Sequence, residues 1–227
     1  MFQRIFLAGV LSAAACASPQ LGPYPESRPG GPAPEGISAE AWTHAIAAHR
    51  LAVSEGLTES ALLTLIDYSL PATQRRLWVV NTETGEVLAT DFVAHGSRSG
   101  GLFATQFSNR NGTHQSSLGT FITGGTFAGV RGLSLRLRGL EPGINDQAWA
   151  RGIVIHGTPN VSAARAEKGT MGRTEGCPAV PAGSARRLIR LIANGVVVFA
   201  WYPDKGFLSR SEYLDRGTAR LRLTISD

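Results

Sequence analysis

The stretch from Arg151 to Pro181, RGIVIHGTPNVSAARAEKGTMGRTEGCPAVP, carries a histidine and a cysteine 21 residues apart. His156 ends the apolar run Ile153-Val154-Ile155, which reads as a core strand, so its imidazole emerges where strand becomes loop. Cys177 closes Thr174-Glu175-Gly176-Cys177, shortly before a helix expected to begin near Pro181. A thiol near a helix N-terminus feels the positive end of the dipole, and an adjacent imidazolium lowers its pKa further. Gly176 has no side chain, so a substrate carbonyl could approach the N–H groups of Gly176 and Cys177 as an oxyanion site, with Gly157 and Thr174 alongside in the cleft. This is the Cys-His logic of nucleophilic catalysis. The same residues also allow a bland reading, a buried filler thiol and a hydrogen-bonded structural histidine.

Other candidates rank lower. A zinc site made from His95, His156 and Cys177 lacks metal-ligand spacing, so no metal is expected. His44, His49 and His114 show no partner pattern. A papain-like peptidase is disfavoured because its cysteine precedes its histidine.

The elements that would position the pair follow from composition and patterning. The chain has 227 residues, 43% hydrophobic and 17% charged, which suits one domain with a core, and 27 glycines with 12 prolines point to many turns and a strand-rich architecture. Net charge is +5, almost all from arginine, since Lys168 and Lys205 are the only lysines. The arginines are scattered, so nucleic acid is not an expected partner. Met1 to Ala17 has a charged start, an apolar stretch and a small-x-small site at Ala15-Cys16-Ala17, the pattern of a secretory signal; no later stretch is long enough to span a bilayer. The expectation is export to the periplasm or cell envelope, with a free N-terminus favoured over a lipid anchor at Cys16. Once Cys16 is removed or acylated, Cys177 is a lone thiol in an exported chain.

Residues 18–37 hold six prolines and read as a tether. Two helices are predicted next, Ser38 to about Glu55 and Thr58 to about Leu70, together forming a helical segment over 38–71 that Pro71 closes. From 72 to 203 short apolar runs alternate with turns. A hairpin over Leu77–Val80 and Val87–Ala94, strands near Gly119–Thr123, Ser134–Leu137 and Gly152–His156, a helix from Pro181 to Asn194, and a strand Val196–Trp201 make a mostly β domain with one buried helix. In the extension 204–227, the alternation Leu221, Leu223, Ile225 suggests an edge strand.

His-Gly, then Thr-x-Gly-Cys, resembles the signature of the L,D-transpeptidases with a YkuD-type catalytic domain. The wider context, over about Leu65 to Tyr202, resembles their murein L,D-transpeptidase catalytic domain branch. The matching stretches include Ile66-Asp67-Tyr68, Val93-Ala94-His95-Gly96, Phe107-Ser108-Asn109, Ser116-Ser117-Leu118-Gly119, Gly132-Leu133-Ser134-Leu135, Gly143-Ile144-Asn145-Asp146 and Gly172 to Pro181. The resemblance implies an α+β, mainly β, sandwich-like catalytic domain acting on peptidoglycan stem peptides without a cofactor. Cys177 would be the nucleophile and His156 the general acid-base. Glu175 stands where many relatives have histidine, and Pro178-Ala179 where many have an apolar residue and arginine, so Arg173 is the candidate carboxylate clamp. His95 and Ser117 are candidate substrate contacts, with the stretch around Ser117 shaping the cleft floor. A cross-linking transpeptidase is the first reading, an L,D-carboxypeptidase the second, and a silent murein-binding module the third.

Overall fold

The computed structural model describes residues 31–225, with side chains through Ala219. The expected signal over 1–17, Cys16 and the expected tether up to Gly30 lie outside them. The described elements are α1 (Ala39–Ser54), β1 (Leu62–Asp67), β2 (Leu77–Asn81), β3 (Val87–Asp91), β4 (Gly119–Gly129), β5 (Gly132–Gly139), a single 3-10 turn (Asp146–Ala148), β6 (Val154–Thr158), α2 (Ala163–Glu167), β7 (Ala179–Pro181), α3 (Ala182–Leu191), β8 (Val197–Trp201), α4 (Lys205–Leu208) and α5 (Glu212–Ile225). The strands form one mixed sheet in the order β3-β2-β1-β8-β4-β5-β6-β7. The α+β class expected from the sequence is therefore observed, and the sandwich-like layering takes the form of one continuous sheet with helices on both faces.

Strand alternation sorts the core. Leu65, Phe199 and Thr120 share one face of the sheet centre through their register, while Thr64, Val198 and Phe121 share the other. α1 covers the first face, where His44 stacks on Trp201 at 4.9 Å between centroids. Ser38 caps this helix by accepting from the Ala41 N–H, as its position before an apolar-periodic run predicts. α3 packs on the opposite face, where a Cβ on Gly157 would meet Ala185 at 2.8 Å. Gly157 thus lets α3 lie close against β6; it faces away from the cleft in which the sequence reading put it.

Four boundaries differ from expectation. The predicted second helix is instead β1, paired with β2 on one side and parallel to β8 on the other. A central strand buried on both faces loses its period-2 signature, and Leu62, Leu65 and Ile66 imitate one face of a helix. The segment 38–71 is therefore not a separate helical unit, since β1 lies in the middle of the sheet that also contains the Cys-His strands. The end of the expected tether is docked: Ile37 is buried, and Gly31 O accepts from the Trp42 indole N–H at 2.9 Å. The extension after 204 is helical, not an edge strand. Ser211 caps α5 by accepting from the Leu214 N–H at 3.1 Å, and Phe207, Tyr213 and Leu214 are buried.

Besides these apolar side chains, one buried carboxyl group ties the extension to the sheet. Glu141 is 1% exposed; its Oε1 accepts from the Thr120 N–H at 2.5 Å, and its Oε2 accepts from the Ser211 hydroxyl. Burial pushes the Glu141 carboxyl above the usual carboxylate range, although the Ser211 and Thr120 bonds oppose this. Removing the Ser211 hydroxyl strands a buried acceptor, so Ser211→Ala should cost about 1–3 kcal/mol in urea unfolding. An unchanged midpoint would mean that Glu141 needs no partner from the extension.

Candidate active site

β6 and β7 run parallel, with His156 opposite Ala179. Cys177 precedes β7 by two residues, one side-chain period along the strand direction, so thiol and imidazole fall on the same face of neighbouring chain segments. That face is opposite to Gly157 and α3.

Cys177 is half-buried, and its Sγ lies 3.8 Å from Gly152 O, to which the thiol donates. Burial pushes the thiol above its ordinary value; the Val154 N–H and the charges of Arg151 and Arg131 pull in the other direction. His156 is buried, with Nδ1 3.0 Å from Gly157 O. A carbonyl only accepts, so Nδ1 carries the proton and Nε2 is left as a base. Burial lowers the imidazole below its ordinary value, the Gly157 carbonyl opposes this, and Arg131 adds to the lowering. Burial therefore disfavours the charged form of both the thiol and the imidazole, and no hydrogen bond joins them among the described contacts. The sequence expectation is an imidazolium-stabilised thiolate; burial acts against both of those charges. The helix dipole gives no help either, because β7 intervenes between Cys177 and α3.

The turn around Cys177 is built by Thr174. Its Oγ1 donates to Cys177 O at 2.7 Å and accepts from the Gly176 N–H at 3.1 Å. Thr174 is a brace, and of the two expected oxyanion donors the Cys177 N–H is the one left uncommitted among the described residues. Gly176 is needed for another reason. Its φ is +121°, and a Cβ there would lie 2.8 Å from Gln115 O. Gly176 O accepts from the Ser116 hydroxyl at 3.2 Å.

The three predicted substrate contacts differ in their placement. His95 is fully buried: its Nε2 donates to Gly101 O at 3.0 Å, and its Nδ1 accepts from Arg76 at 2.8 Å. The ring is structural, because its polar atoms are already committed. Ser117 donates to Ser108 O at 2.8 Å and accepts from Arg151 at 2.6 Å, so it belongs to the wall of the site. Arg173 is exposed and donates to Gly100 O at 3.2 Å. Among the described residues, no cluster of three or more histidine, cysteine, aspartate or glutamate side chains could hold a metal.

Arg151 is the residue the sequence reading missed. Its guanidinium donates to Ser108 O, Ser117 Oγ and Gln115 O, each at 2.6 Å, and it has no carboxylate partner among the described residues. Its charge is left to act on Cys177. The available signal was its place five residues before His156, at the entry to the apolar strand.

The sequence matches the family model of the L,D-transpeptidase catalytic domain over residues 33–201. No curated protein matches it. Solved structures similar to it include an L,D-transpeptidase from Mycobacterium smegmatis, at 14% identity and TM-score 0.39 over 63% of this chain and 59% of that one. The helical cell shape determining protein Pgp2 from Campylobacter jejuni matches at 15% identity and TM-score 0.43, over 79% and 63% of the two chains. An L,D-transpeptidase from Xylanimonas cellulosilytica matches at 14% identity and TM-score 0.37, over 70% and 80%. The match to the Mycobacterium smegmatis structure thus spans only 59% of that chain's length.

Two outcomes follow from the site's electrostatics. The pH midpoint for iodoacetamide alkylation of Cys177 should lie above that of an ordinary cysteine, and Arg151→Met should move it higher; a midpoint below about 8 in the parent chain would contradict the burial effect. His95, lowered to about 4 chiefly by burial and then by Arg76, stays neutral in the folded state while its unfolded counterpart protonates near 6.5. Stability should therefore fall, by about 3 kcal/mol at most, as pH drops from 6.5 to about 4. Replacing His95 with Gln should flatten that part of the stability-pH curve.

Proposed function

The chain belongs to the L,D-transpeptidase catalytic domain family, and on that footing we propose that it is a cysteine-dependent acyltransferase acting on the peptide stems of bacterial murein. The observation that carries this reading is a half-buried thiol sharing a sheet face with an imidazole whose Nδ1–H is tied to Gly157 O. A thiol and a free Nε2 are what a neutral general-base mechanism requires.

Cys177 Sγ attacks the carbonyl carbon of the third stem residue, and its proton passes to His156 Nε2 as the S–C bond forms. For this the thiol turns from Gly152 O towards the ring. The negative charge on the carbonyl oxygen is met by the Cys177 N–H, with Arg151 supplying a positive field. The C–N bond to the terminal D-alanine then breaks, and His156 returns the proton to the departing amine. The thioester is resolved by the side-chain amine of a neighbouring stem, which gives its proton to His156; the proton passes back to the sulfur as the new amide is released. No cofactor enters these steps. The signal-like N-terminus supports export to the envelope, where such stems are found.

The full chain, incubated with disaccharide-tetrapeptide and analysed by mass spectrometry, should give a cross-linked dimer. Tripeptide in place of dimer would assign water as the acceptor, and unchanged substrate would sink the reaction. Cys177→Ala should abolish product. His156→Ala should slow acylation by roughly 10²-fold or more. Because the His156 pKa is lowered, the acid limb of the acylation rate should lie below pH ~6.5. A limb well above that value would contradict a neutral base.

A further inference from the structure

We propose that Arg136, gripped by Phe127 and Trp149, is the anchor for a carboxylate of the stem peptide, an inference that rests on the reaction proposed above. Arg136 is exposed on β5, with its guanidinium carbon 4.4 Å from the centroid of the Phe127 ring and 5.0 Å from that of Trp149. Contact with two rings restrains the guanidinium. No hydrogen bond or carboxylate within the described residues uses its donors. A planar fork of donors, oriented and unspent, matches a carboxylate bidentately.

Its place relative to the reacting atoms is set by register. Arg136 is opposite Val154 and Ser134 is opposite His156, so Arg136 and His156 project from the same face of adjoining strands. Phe127, opposite Ser134 on the other side, joins that face. Trp149 opens the tight turn closed by the Gly152 N–H on Trp149 O at 3.0 Å, and Gly152 O is the atom that holds the Cys177 thiol. One four-residue turn, with its end Cα atoms less than about 7 Å apart, therefore joins Trp149 to the residue whose carbonyl holds the thiol. A stem whose third residue is attacked at Cys177 carries a free carboxylate on a neighbouring residue that can turn towards this grip.

The other arginines near the site are less suited. Arg151 has its donors on Ser108, Ser117 and Gln115, and Arg173 is bonded to Gly100 O. Arg131, on the β4–β5 turn, has no ring contact or hydrogen bond to hold it among the described residues. Trp149, 54% exposed, would otherwise be a large apolar side chain left in water. As one jaw of the grip it both orients the guanidinium and offers a flat surface to the bound stem.

The test is equilibrium binding of the tetrapeptide L-Ala-γ-D-Glu-meso-diaminopimelyl-D-Ala to the full chain carrying Cys177→Ala, alongside analogues in which each carboxylate in turn is amidated. Arg136→Gln should weaken binding of the parent peptide tenfold or more, and one amidated analogue should bind equally to both chains. Arg136→Lys should recover only part of the loss, because a point charge lacks the fork, and Trp149→Ala should weaken binding less than Arg136→Gln. In the active chain, Arg136→Gln should raise KM with kcat little changed. Equal affinity of the parent peptide for both chains, or no binding to either, would overturn the assignment. Arg136-dependent binding without turnover in the active chain would leave the anchor standing and remove only the proposed reaction.

Discussion

The geometry around the nucleophile depends on a cation with no access to water. Arg76 is fully buried, and its guanidinium gives two donors to Val93 O, one to Leu70 O and one to His95 Nδ1, while its carbon lies 5.1 Å from the centroid of the Tyr68 ring. Burial lowers even this guanidinium to about 10, although the neighbouring Tyr68 and Asp67 favour its charge. Such a charge is costly to desolvate, and it is tolerated because every direction of the fork finds an oxygen, a ring nitrogen or an aromatic face. The segment it fixes then pairs with the catalytic turn. Ala94 N–H donates to Ala179 O, Thr174 N–H to His95 O, and Ser97 N–H to Thr174 O. The Cys177 turn is hung from residues 94–97, and those residues are hung from Arg76.

A second consequence is electrostatic. Cys177 and His156 are both pushed towards their neutral forms by burial, while Arg151 and Arg131 favour the thiolate and Arg131 also disfavours the imidazolium. A thiol kept protonated at rest is less exposed to oxidation and stray alkylation than a standing thiolate. The cost is that the proton must move as the bond forms. That demand explains why the tautomer of His156 is fixed by a carbonyl and not left to solvent.

Much of this was legible in the sequence, for identifiable reasons. The Cys-His strand ends, the β2–β3 hairpin, β8 and α1 all carry local signals: a capping serine, a turn sequence, a β-branched run. What escaped was non-local. β1 looked helical because its burial comes from β2 and β8, far away in sequence. Leu221, Leu223 and Ile225 looked like an edge strand because alternation was read without the Ser211 cap that starts α5. At the site, residue type pointed to Cys177 and His156, but it could not show that Thr174 consumes the Gly176 N–H, that His95 is spoken for by Arg76, or that Arg151 stands unneutralised beside the thiol. Each of these depends on which oxygen is nearest in space.

The position of β8 has a bearing on how the molecule comes into being. With the order β3-β2-β1-β8-β4-β5-β6-β7, the last of the described strands occupies the middle, and it joins Leu63 to Val197 on one side and Phe121 to Val198 on the other. Until residues 197–201 have been synthesised, the chain holds three strands that pair with one another and four more that pair among themselves, with no ladder between the groups. Closing loops of that size carries an entropic toll that only the full central pairing repays, so folding is slow and late. A sheet wired in this way therefore cannot close across its centre until residues 197–201 have arrived to join its two halves.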